Sequence, residues 1–280
     1  MKVAVIGASG GMGSFFARYF LERGEEVRGS DPGGLATFRT NAEAVEGCDV
    51  AVIAVPIDDT VKVAKELVGR LRPGSTLVEI SSVKSKTLPA LRRLVGKKAN
   101  LLSIHPLFGP ALESTKGMKV AVIVGGKANQ ESPEEALARR LFPDARIIPM
   151  SLQEHDKSMA VVLSLTHILN VVYAGTASRF LTPEEFMRVS TPNSSMQLTL
   201  AEAVLAQDAR LSFAIQAGNP YSKEVARAAS RELKSVLSMI EGADRKAFDR
   251  HFSKLAKTYK SEKRASSVIR EIYSAAEKGA

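Results

Sequence analysis

The sequence predicts an α/β fold, in which a Rossmann-type doubly wound parallel sheet is followed by an all-α domain. Two observations indicate it. Over residues 1–150, short runs rich in Val, Ile and Ala alternate with helical stretches, as in parallel βαβ units with helices on both faces. From Ser151 onward there is little β patterning, and long helical stretches dominate. We therefore predict a dinucleotide-binding domain at residues 1–150 and a helical substrate and dimerisation domain at residues 151–280.

The separate elements follow from local patterns. Strands are predicted at residues 2–8, 26–31, 49–56, 75–82, 100–106 and 119–126. In the first half, helices are predicted at residues 13–24 and 59–72, which stop at Gly24 and at a Pro-Gly pair. In the second half they are predicted at residues 153–180, 183–190, 195–217, 221–241 and 244–277. Because the stretch 163–181 is apolar on most of its circumference, we expect it to be buried in a bundle or in a subunit interface.

The charge balance suits an anionic partner, although a solvated basic surface that binds nothing is the favoured alternative. The chain of 280 residues has 39 basic and 30 acidic residues, a net charge of +9. Aromatic residues make up 6% of the chain and Trp is absent, so we see no basic surface interleaved with aromatic rings and predict no nucleic-acid binding.

Cysteine content and hydropathy predict a cytoplasmic protein. Cys48 is the only cysteine, which excludes an intrachain disulfide and a cysteine-based zinc site, and we predict no metal. No uninterrupted apolar run reaches the roughly 18 residues that span a bilayer, so no membrane partner is expected. The first strand begins at Lys2, which leaves no room for a signal peptide.

The clearest motif is the glycine-rich turn after the first strand, within "VAVIGASGGMGSFFARYFLERGEEVRGSD". Gly7 would permit the tight turn, Gly10 the approach of a pyrophosphate, and Gly13 the close packing of helix on strand. The N–H groups at the start of the helix would then meet the phosphates. A turn that binds no nucleotide is the structural alternative, which the strand–turn–helix–strand–acid order disfavours. The predicted cofactor-binding residues in the turn are Gly7, Ser9, Gly10, Gly11, Met12 and Gly13.

The choice of dinucleotide depends on Asp31, which ends the second strand. Its carboxylate would accept hydrogen bonds from the ribose hydroxyls and repel a 2′-phosphate, so NAD is favoured over NADP. Arg28 and Arg39 lie near in the sequence and keep NADP possible. The third strand ends at Val55, Pro56 and Ile57, which we expect to border the cofactor because strand ends line the crevice of such sheets.

Two further strands end in polar residues. The segment "EISSVK" contributes Ser81, Ser82 and Lys84, and "SIHP" contributes His105. By the same rule these side chains face the crevice beside the nicotinamide. A histidine that titrates near neutrality is a suitable base for an alcohol that loses a hydride. A structural histidine that only caps a strand is the alternative for His105.

These residues also carry a family resemblance over about residues 2–200. "HPLFGP" is similar to the His-Pro-Met-x-Gly segment of prephenate dehydrogenases, with Phe108 and Pro110 closer to the enteric type that is fused to chorismate mutase. "SSVK" resembles that family's Ser-Val-Lys segment. "EHDKSMAVVLSLTHILN" resembles its Glu-His-Asp element, followed twelve residues later by a second histidine.

The resemblance implies NAD-dependent oxidative decarboxylation of prephenate to 4-hydroxyphenylpyruvate, a step in tyrosine biosynthesis. His105 would take the proton of the ring hydroxyl, and Ser82 would hydrogen-bond either His105 or that hydroxyl. His155 and His167 would line or support the substrate pocket from the helical domain, unless they are only buried there. For the arginine that grips a substrate carboxylate, we choose Arg188 over Arg210, with a surface arginine as the equal alternative.

Other functions stay open. Arogenate could replace prephenate as the substrate. A β-hydroxyacid dehydrogenase is disfavoured because Val161 stands where the polar partner of Lys157 should be. A deazaflavin-dependent NADP reductase is compatible with the glycine spacing. A non-catalytic NAD-binding sensor would need neither Ser82 nor His105. We also expect a homodimer through the helical domain, because the apolar stretch 163–181 needs cover.

Overall fold

The structure, a computed structural model, describes residues 1–33, 37–112, 114–125, 131–259, 267–271 and 273–274. The chain divides into two compact units. The first contains Met1–Ala160 and Arg210–Tyr221, and the second contains Val161–Ala209 and Ser222–Ala280. The predicted domain boundary at residue 150 thus differs from this division, since residues 151–160 and 210–221 pack within the first unit.

The described part of the first unit contains a seven-stranded sheet of order β2-β1-β3-β4-β5-β6-β7. All neighbouring strands are parallel except β5 and β6. The strand order reverses beside β1, which lies between β2 and β3 and forms the switch point where such sheets bind ligands. The predicted Rossmann-type fold class is confirmed. The strands are β1 Lys2–Ile6, β2 Glu26–Ser30, β3 Val50–Ile53, β4 Thr76–Glu79, β5 Asn100–Pro106, β6 Lys119–Ile123 and β7 Arg146–Met150.

Two features of the sheet differ from the sequence prediction. The antiparallel pairing of β5 with β6 arises because the connection between them, where the structure describes it, contains no crossover helix. Strand β7, "RIIPM", was not predicted at all. It contains Pro149, which has no N–H group for a ladder, and it lies at the edge of the sheet where proline is tolerated.

Helices cover both faces of the sheet. On one face, α1 buries Phe15, Phe16 and Phe20 against the strands, together with Leu141 and Phe142 at the end of α5. On the other face, Leu67 of α3 packs in one cluster with α4. Helices α2, α4 and α5 were not predicted. The helices of this unit are α1 Gly11–Glu22, α2 Asn41–Val45, α3 Thr60–Leu67, α4 Lys84–Val95, α5 Pro133–Leu141 and α6 Leu152–Met159.

The second half of the chain is helical in its described part, as predicted. A π-helical segment, Ala160–Leu165, joins α6 to α7 without a break. The predicted helix 244–277 is observed as far as Tyr259, and its residues 260–266, 272 and 275–277 lie outside the described residues. The helices are α7 Thr166–Ala177, α8 Pro183–Val189, α9 Pro192–Leu205, α10 Ala209–Gly218, α11 Ser222–Glu241 and α12 Arg245–Tyr259.

The helix predicted at residues 153–180 is observed as one continuous helix, Leu152–Ala177. Leu152–Ala177 is, by length and composition alone, long and apolar enough to cross a membrane. The expectation that no stretch reaches this length was therefore wrong. It counted uninterrupted apolar residues and stopped at His167 and Asn170, whereas the helix continues through both. Passing this test is weak evidence for a membrane span, because the core helices of soluble proteins also pass it.

Candidate active site

The glycine-rich turn has the shape that its sequence predicts. Gly7 has a φ of +87°, and a Cβ there would lie 2.6 Å from the carbonyl oxygen of Ala54. A Cβ on Gly13 would lie 1.8 Å from the carbonyl oxygen of Gly7. The first glycine is therefore needed for the turn, and the last for the contact between α1 and β1.

The start of α1 has room for a phosphate group. Gly10 is the N-cap residue, and no side chain of the described residues caps this end. A Cβ on Gly10 would meet nothing closer than 3.4 Å. Ser9, Gly10 and Gly11 are exposed and Met12 is half-buried. Because the first N–H groups of a helix lack partners within it, this cradle fits the pyrophosphate of a dinucleotide.

Asp31 lies beside the same turn. Its Oδ2 accepts a hydrogen bond from the backbone N–H of Ser9 at 3.1 Å, and its Oδ1 accepts one from Gly33 at 2.9 Å. Each carboxylate oxygen has a second lone pair, so both can still accept a ribose hydroxyl. Arg28, which could have bound the 2′-phosphate of NADP, instead pairs with Glu26 and lies over the Phe38 ring.

The segment after β3 is only partly open. Pro56 is exposed and Val55 is half-buried, as expected of residues that border a cofactor. Ile57 is buried, so its side chain belongs to the protein interior.

The main feature at the end of β5 is a chain of three side chains. His105 Nδ1 lies 3.0 Å from Nε2 of His155, and His155 Nδ1 lies 2.7 Å from Oδ1 of Asp156. His155 and Asp156 are fully buried, and His105 is 7% exposed. All three lie in the first unit. Asp and His at adjacent positions of α6 thus extend a line that begins at the strand end.

This chain determines which nitrogen of His105 can act as a base. Ionised Asp156 only accepts hydrogen bonds, so His155 must donate from Nδ1. In a neutral His155 ring, Nε2 then accepts, and His105 donates from its own Nδ1. The lone pair of His105 consequently sits on Nε2. The arrangement is the tautomer control that a carboxylate exerts on a catalytic histidine, extended here by a second ring.

The start of α4 stabilises the charge of Asp156. The backbone N–H of Lys84 donates to Oδ1 at 3.1 Å, and that of Ser85 donates to Oδ2 at 2.9 Å. Burial raises the pKa of Asp156, but the hydrogen bonds from His155, Ser85 and Lys84 outweigh it, and the pKa is lowered overall. The carboxylate therefore stays ionised beside His155.

The predicted positions of Ser81 and Lys84 in the open crevice were wrong. Lys84 is fully buried and its Nζ lies 2.9 Å from Oε2 of Glu79, which is also fully buried. The Ser81 hydroxyl donates to the same carboxylate. Glu79 ends β4, and Lys84 neutralises its buried carboxylate while Ser81 donates a hydrogen bond to it. Burial, followed by the positive charge of Lys84, holds the pKa of His105 well below 6.5.

Ser82 and His155 make contacts that differ from the predicted ones. Ser82 is half-buried, and among the described residues the partner of His105 Nδ1 is His155 and not Ser82. The ring of His155 was expected to line the pocket from the helical domain. It belongs instead to the first unit, where it is fully buried between His105 and Asp156.

The other predicted substrate residues lie in the second unit. His167 on α7 is 6% exposed, and its Nδ1 is buried without a hydrogen-bond partner among the described residues. Burial lowers its pKa. Arg188 on α8 is exposed. Arg210, the other candidate, belongs to the first unit.

Sequence reasoning did not assign Asp156 or Glu79 to the site. For Asp156 the signal was present, because it is the last residue of the Glu-His-Asp element. Glu79 had a weaker signal, which is a carboxylate at the end of an apolar strand where burial would require a partner.

Known proteins share sequence and fold with this chain. Residues 23–126 match the family model of the prephenate dehydrogenase nucleotide-binding domain. The predicted resemblance to the prephenate dehydrogenase family is confirmed. A probable arogenate/prephenate dehydrogenase from Methanocaldococcus jannaschii is 26% identical over 275 residues, which are 94% of this chain and 62% of that protein. The chain thus spans less than two thirds of that relative.

Two other similar proteins match over nearly their whole length. A 4-amino-4-deoxyprephenate dehydrogenase from Streptomyces pristinaespiralis is 26% identical over 270 residues, which are 91% of this chain and 90% of that protein. The crystal structure of Aquifex aeolicus prephenate dehydrogenase with hydroxyphenyl propionate and NAD+ superposes with a TM-score of 0.73 at 19% identity. It covers 93% of this chain and 98% of that chain, which supports the fold.

Proposed function

We propose that the protein is an NAD-dependent prephenate dehydrogenase, which converts prephenate to 4-hydroxyphenylpyruvate in tyrosine biosynthesis. The observation that carries the proposal is the Asp156–His155–His105 chain, which leaves the lone pair of His105 on Nε2. His105 stands near the end of β5, and the C-terminal ends of β1, β3, β4 and β5 share one edge of the sheet. A base at this edge lies at the same end of the sheet as the glycine-rich turn that would hold the dinucleotide.

His105 is the general base in the proposed reaction. Its Nε2 takes the proton of the ring hydroxyl as the carbon that bears the hydroxyl loses hydride. Bound NAD would supply the hydride acceptor. The bond between the ring and its carboxylate then breaks and carbon dioxide leaves. The electrons of that bond complete the aromatic ring, and the ring oxygen regains a proton, which His105 holds.

Other side chains would bind the substrate. The Ser82 hydroxyl does not bond to His105, so it is free to form a hydrogen bond with the substrate hydroxyl. His167 and Arg188 are proposed to bind from the helical domain, the histidine beside the ring and the guanidinium on a carboxylate. His155 has a positioning role, because it is fully buried and bonded at both ring nitrogens.

Arogenate dehydrogenase is the second candidate, because the name of the M. jannaschii relative includes both arogenate and prephenate. The two substrates differ in the side chain that bears a keto group or an amino group, and the reacting ring is the same. The His105 chain therefore serves either substrate. The name of the S. pristinaespiralis relative adds a third, in which an amino group replaces the ring hydroxyl.

NAD is proposed over NADP because Asp31 presents a carboxylate at the site of the 2′-phosphate, while Arg28 is paired with Glu26. The Gly10→Ala variant tests the phosphate cradle. Its Cβ would have space in the protein but would lie where the pyrophosphate approaches. We therefore expect the variant to fold normally and its affinity for NAD to fall by about 10-fold or more. Binding is measured by calorimetry, and Gly69→Ala, also with space for a Cβ, is the control. Equal affinities would contradict the proposed cofactor site.

We further propose a cytoplasmic homodimer that associates through the helical domain. The helix that contains Val161, Val162 and Leu169 leaves these residues exposed in the single chain. A second copy would bury them.

The deciding experiment measures reduction of NAD and of NADP with prephenate and with arogenate. We expect absorbance at 340 nm to rise fastest with NAD and prephenate. Faster reduction with arogenate would transfer the proposal to the second candidate. No change with any of the four pairs would refute both, and 4-amino-4-deoxyprephenate would then be assayed in the same way.

A further inference from the structure

A buried ion pair lies beside the strand that carries His105, because Glu79 is on the neighbouring strand β4. The side chains of Glu79 and Lys84 are fully buried, with Nζ 2.9 Å and 3.1 Å from the two carboxylate oxygens. Hydroxyl groups fill the remaining sites on Glu79: those of Ser81, Thr87 and Ser103 all contact it. Apolar side chains of similar volume would often be at least as stabilising as a buried ion pair, so the pair calls for a reason other than stability.

Lys84 contacts both sides of the histidine pair. Its Nζ donates a hydrogen bond to the carbonyl oxygen of Ile104, whose peptide bond leads to His105. Its backbone N–H donates to Oδ1 of Asp156 at 3.1 Å, the oxygen that also contacts His155. One residue thus fixes the strand that carries His105 and the carboxylate that orients His155.

We propose that Lys84, held in place by Glu79, is a positioning residue that fixes the orientation of His105 and keeps its ring neutral. The inference rests on the proposed function only in taking His105 as the base. Lys84 touches neither substrate nor cofactor in this role and acts through its contacts with Ile104, Asp156 and Glu79.

The charges around His105 support the second part of the role. The groups in the first unit that act on the ring are Lys84 on α4, and His155 and Asp156 on α6, with Glu79 on β4 behind Lys84. After burial, the ammonium of Lys84 is the largest influence that lowers the pKa of His105, and Asp156 opposes it. Removing the positive charge should therefore raise this pKa.

The test replaces the pair without leaving a buried charge. In the double variant Glu79→Gln with Lys84→Met, the amide keeps an oxygen acceptor for the surrounding hydroxyls. The matched control, Glu135→Gln with Arg139→Met, removes an ion pair whose arginine is half exposed on α5. If the double variant does not fold, Lys84→Gln replaces it, since its amide can still donate to Ile104 and the expected direction is the same.

The first readout needs no substrate. Imidazole NMR follows the titration of His105, whose signals are identified by their loss in His105→Asn. We expect His105 to titrate at a higher pH in the double variant than in the wild type, and at an unchanged pH in the control. A folded double variant in which His105 titrates as in the wild type would overturn the proposal. Because no turnover is involved, this result is independent of the identity of the substrate.

The second readout is kinetic. We expect kcat to fall about 10-fold to 100-fold, as for a small misplacement of a catalytic group, with unchanged NAD affinity. The acidic limb of the pH profile of kcat/KM should move to higher pH. A lower kcat without this shift would indicate a merely structural pair and would contradict the proposed role. If the wild type turns over none of the substrates, the proposed function fails, and the NMR titration still decides the role of Lys84.

Discussion

The two units of the molecule place polar and apolar side chains in opposite ways. The first unit buries apolar clusters on both faces of its sheet and also buries a polar group around His105, in which each charge has a partner. Of the large apolar residues that are well exposed in the described chain, only Met1, Leu21, Leu211 and Phe213 lie in the first unit. All the others lie in the second. The first unit thus buries most of its large apolar side chains, whereas the helices of the second leave many exposed in the single chain.

The largest expected effect is the loss of turnover when His105, the last residue of the Asp156–His155–His105 chain, is replaced. His105→Asn keeps a polar side chain but removes the base, so turnover should fall by about 10⁴-fold or more while NAD still binds with near-native affinity. Turnover is measured by absorbance and NAD affinity by calorimetry. His251→Asn, on α12 of the second unit, is the control and should keep its activity. A His105 variant with most of the wild-type rate would refute the proposed mechanism.

A somewhat smaller effect is expected one step further along the chain. Asp156→Asn can donate to His155, which would turn both rings to the wrong tautomer and place a proton on Nε2 of His105. The expected loss in kcat is about 10²-fold to 10⁴-fold, as when a carboxylate that orients a catalytic histidine is neutralised. The tautomers are read directly from imidazole nitrogen shifts. A variant that keeps the Nδ1–H tautomer on His105 together with a large loss of kcat would contradict this explanation.

The sequence predicts the first unit well where local pattern and tertiary structure agree. Strands β1 to β6 and the glycine-rich turn were found because apolar runs and glycine positions are local signals. Strand β7 was missed because its pairing with β6 outweighs the low strand propensity of Pro149. The antiparallel direction of β6 likewise depends on the segment that connects it to β5 and not on its own residues.

The active site was predictable only in part. His105 was identified by its place at a strand end. The roles of His155, Asp156 and Glu79 depend on which side chains meet across β4, β5, α4 and α6, and no spacing in the sequence contains that information. His155 was therefore expected in the pocket, although its two ring nitrogens are bonded inside the protein.

A smaller effect is expected from the exposed apolar surface of the second unit. Introducing Val162→Glu together with Val172→Glu places two charges on this surface, which is exposed in the single chain. If the surface joins two copies, the variant should be a monomer while the wild type is a dimer, as measured by light scattering. Lys246→Glu, at an exposed polar position of α12, is the control and should remain a dimer. A wild-type monomer would refute the homodimer directly.

The smallest effect separates the buried histidines from the carboxylate beside them. Burial lowers the pKa of both His105 and His167, so between their folded pKa values and about 6.5 the unfolded chain binds more protons. The free energy of unfolding should therefore fall as the pH drops below about 6.5, by up to about 1.4 kcal/mol per pH unit for each histidine. Asp156 acts in another window, because its lowered pKa contributes stability above about pH 3.8 that is lost only at lower pH. Urea unfolding at pH 7.5, 6.5 and 5.5 measures the slope, and His105→Asn should reduce it. If the stability of the wild type is unchanged over this range, the fold holds neither ring neutral. That result would contradict the proposal that His105 is a neutral base.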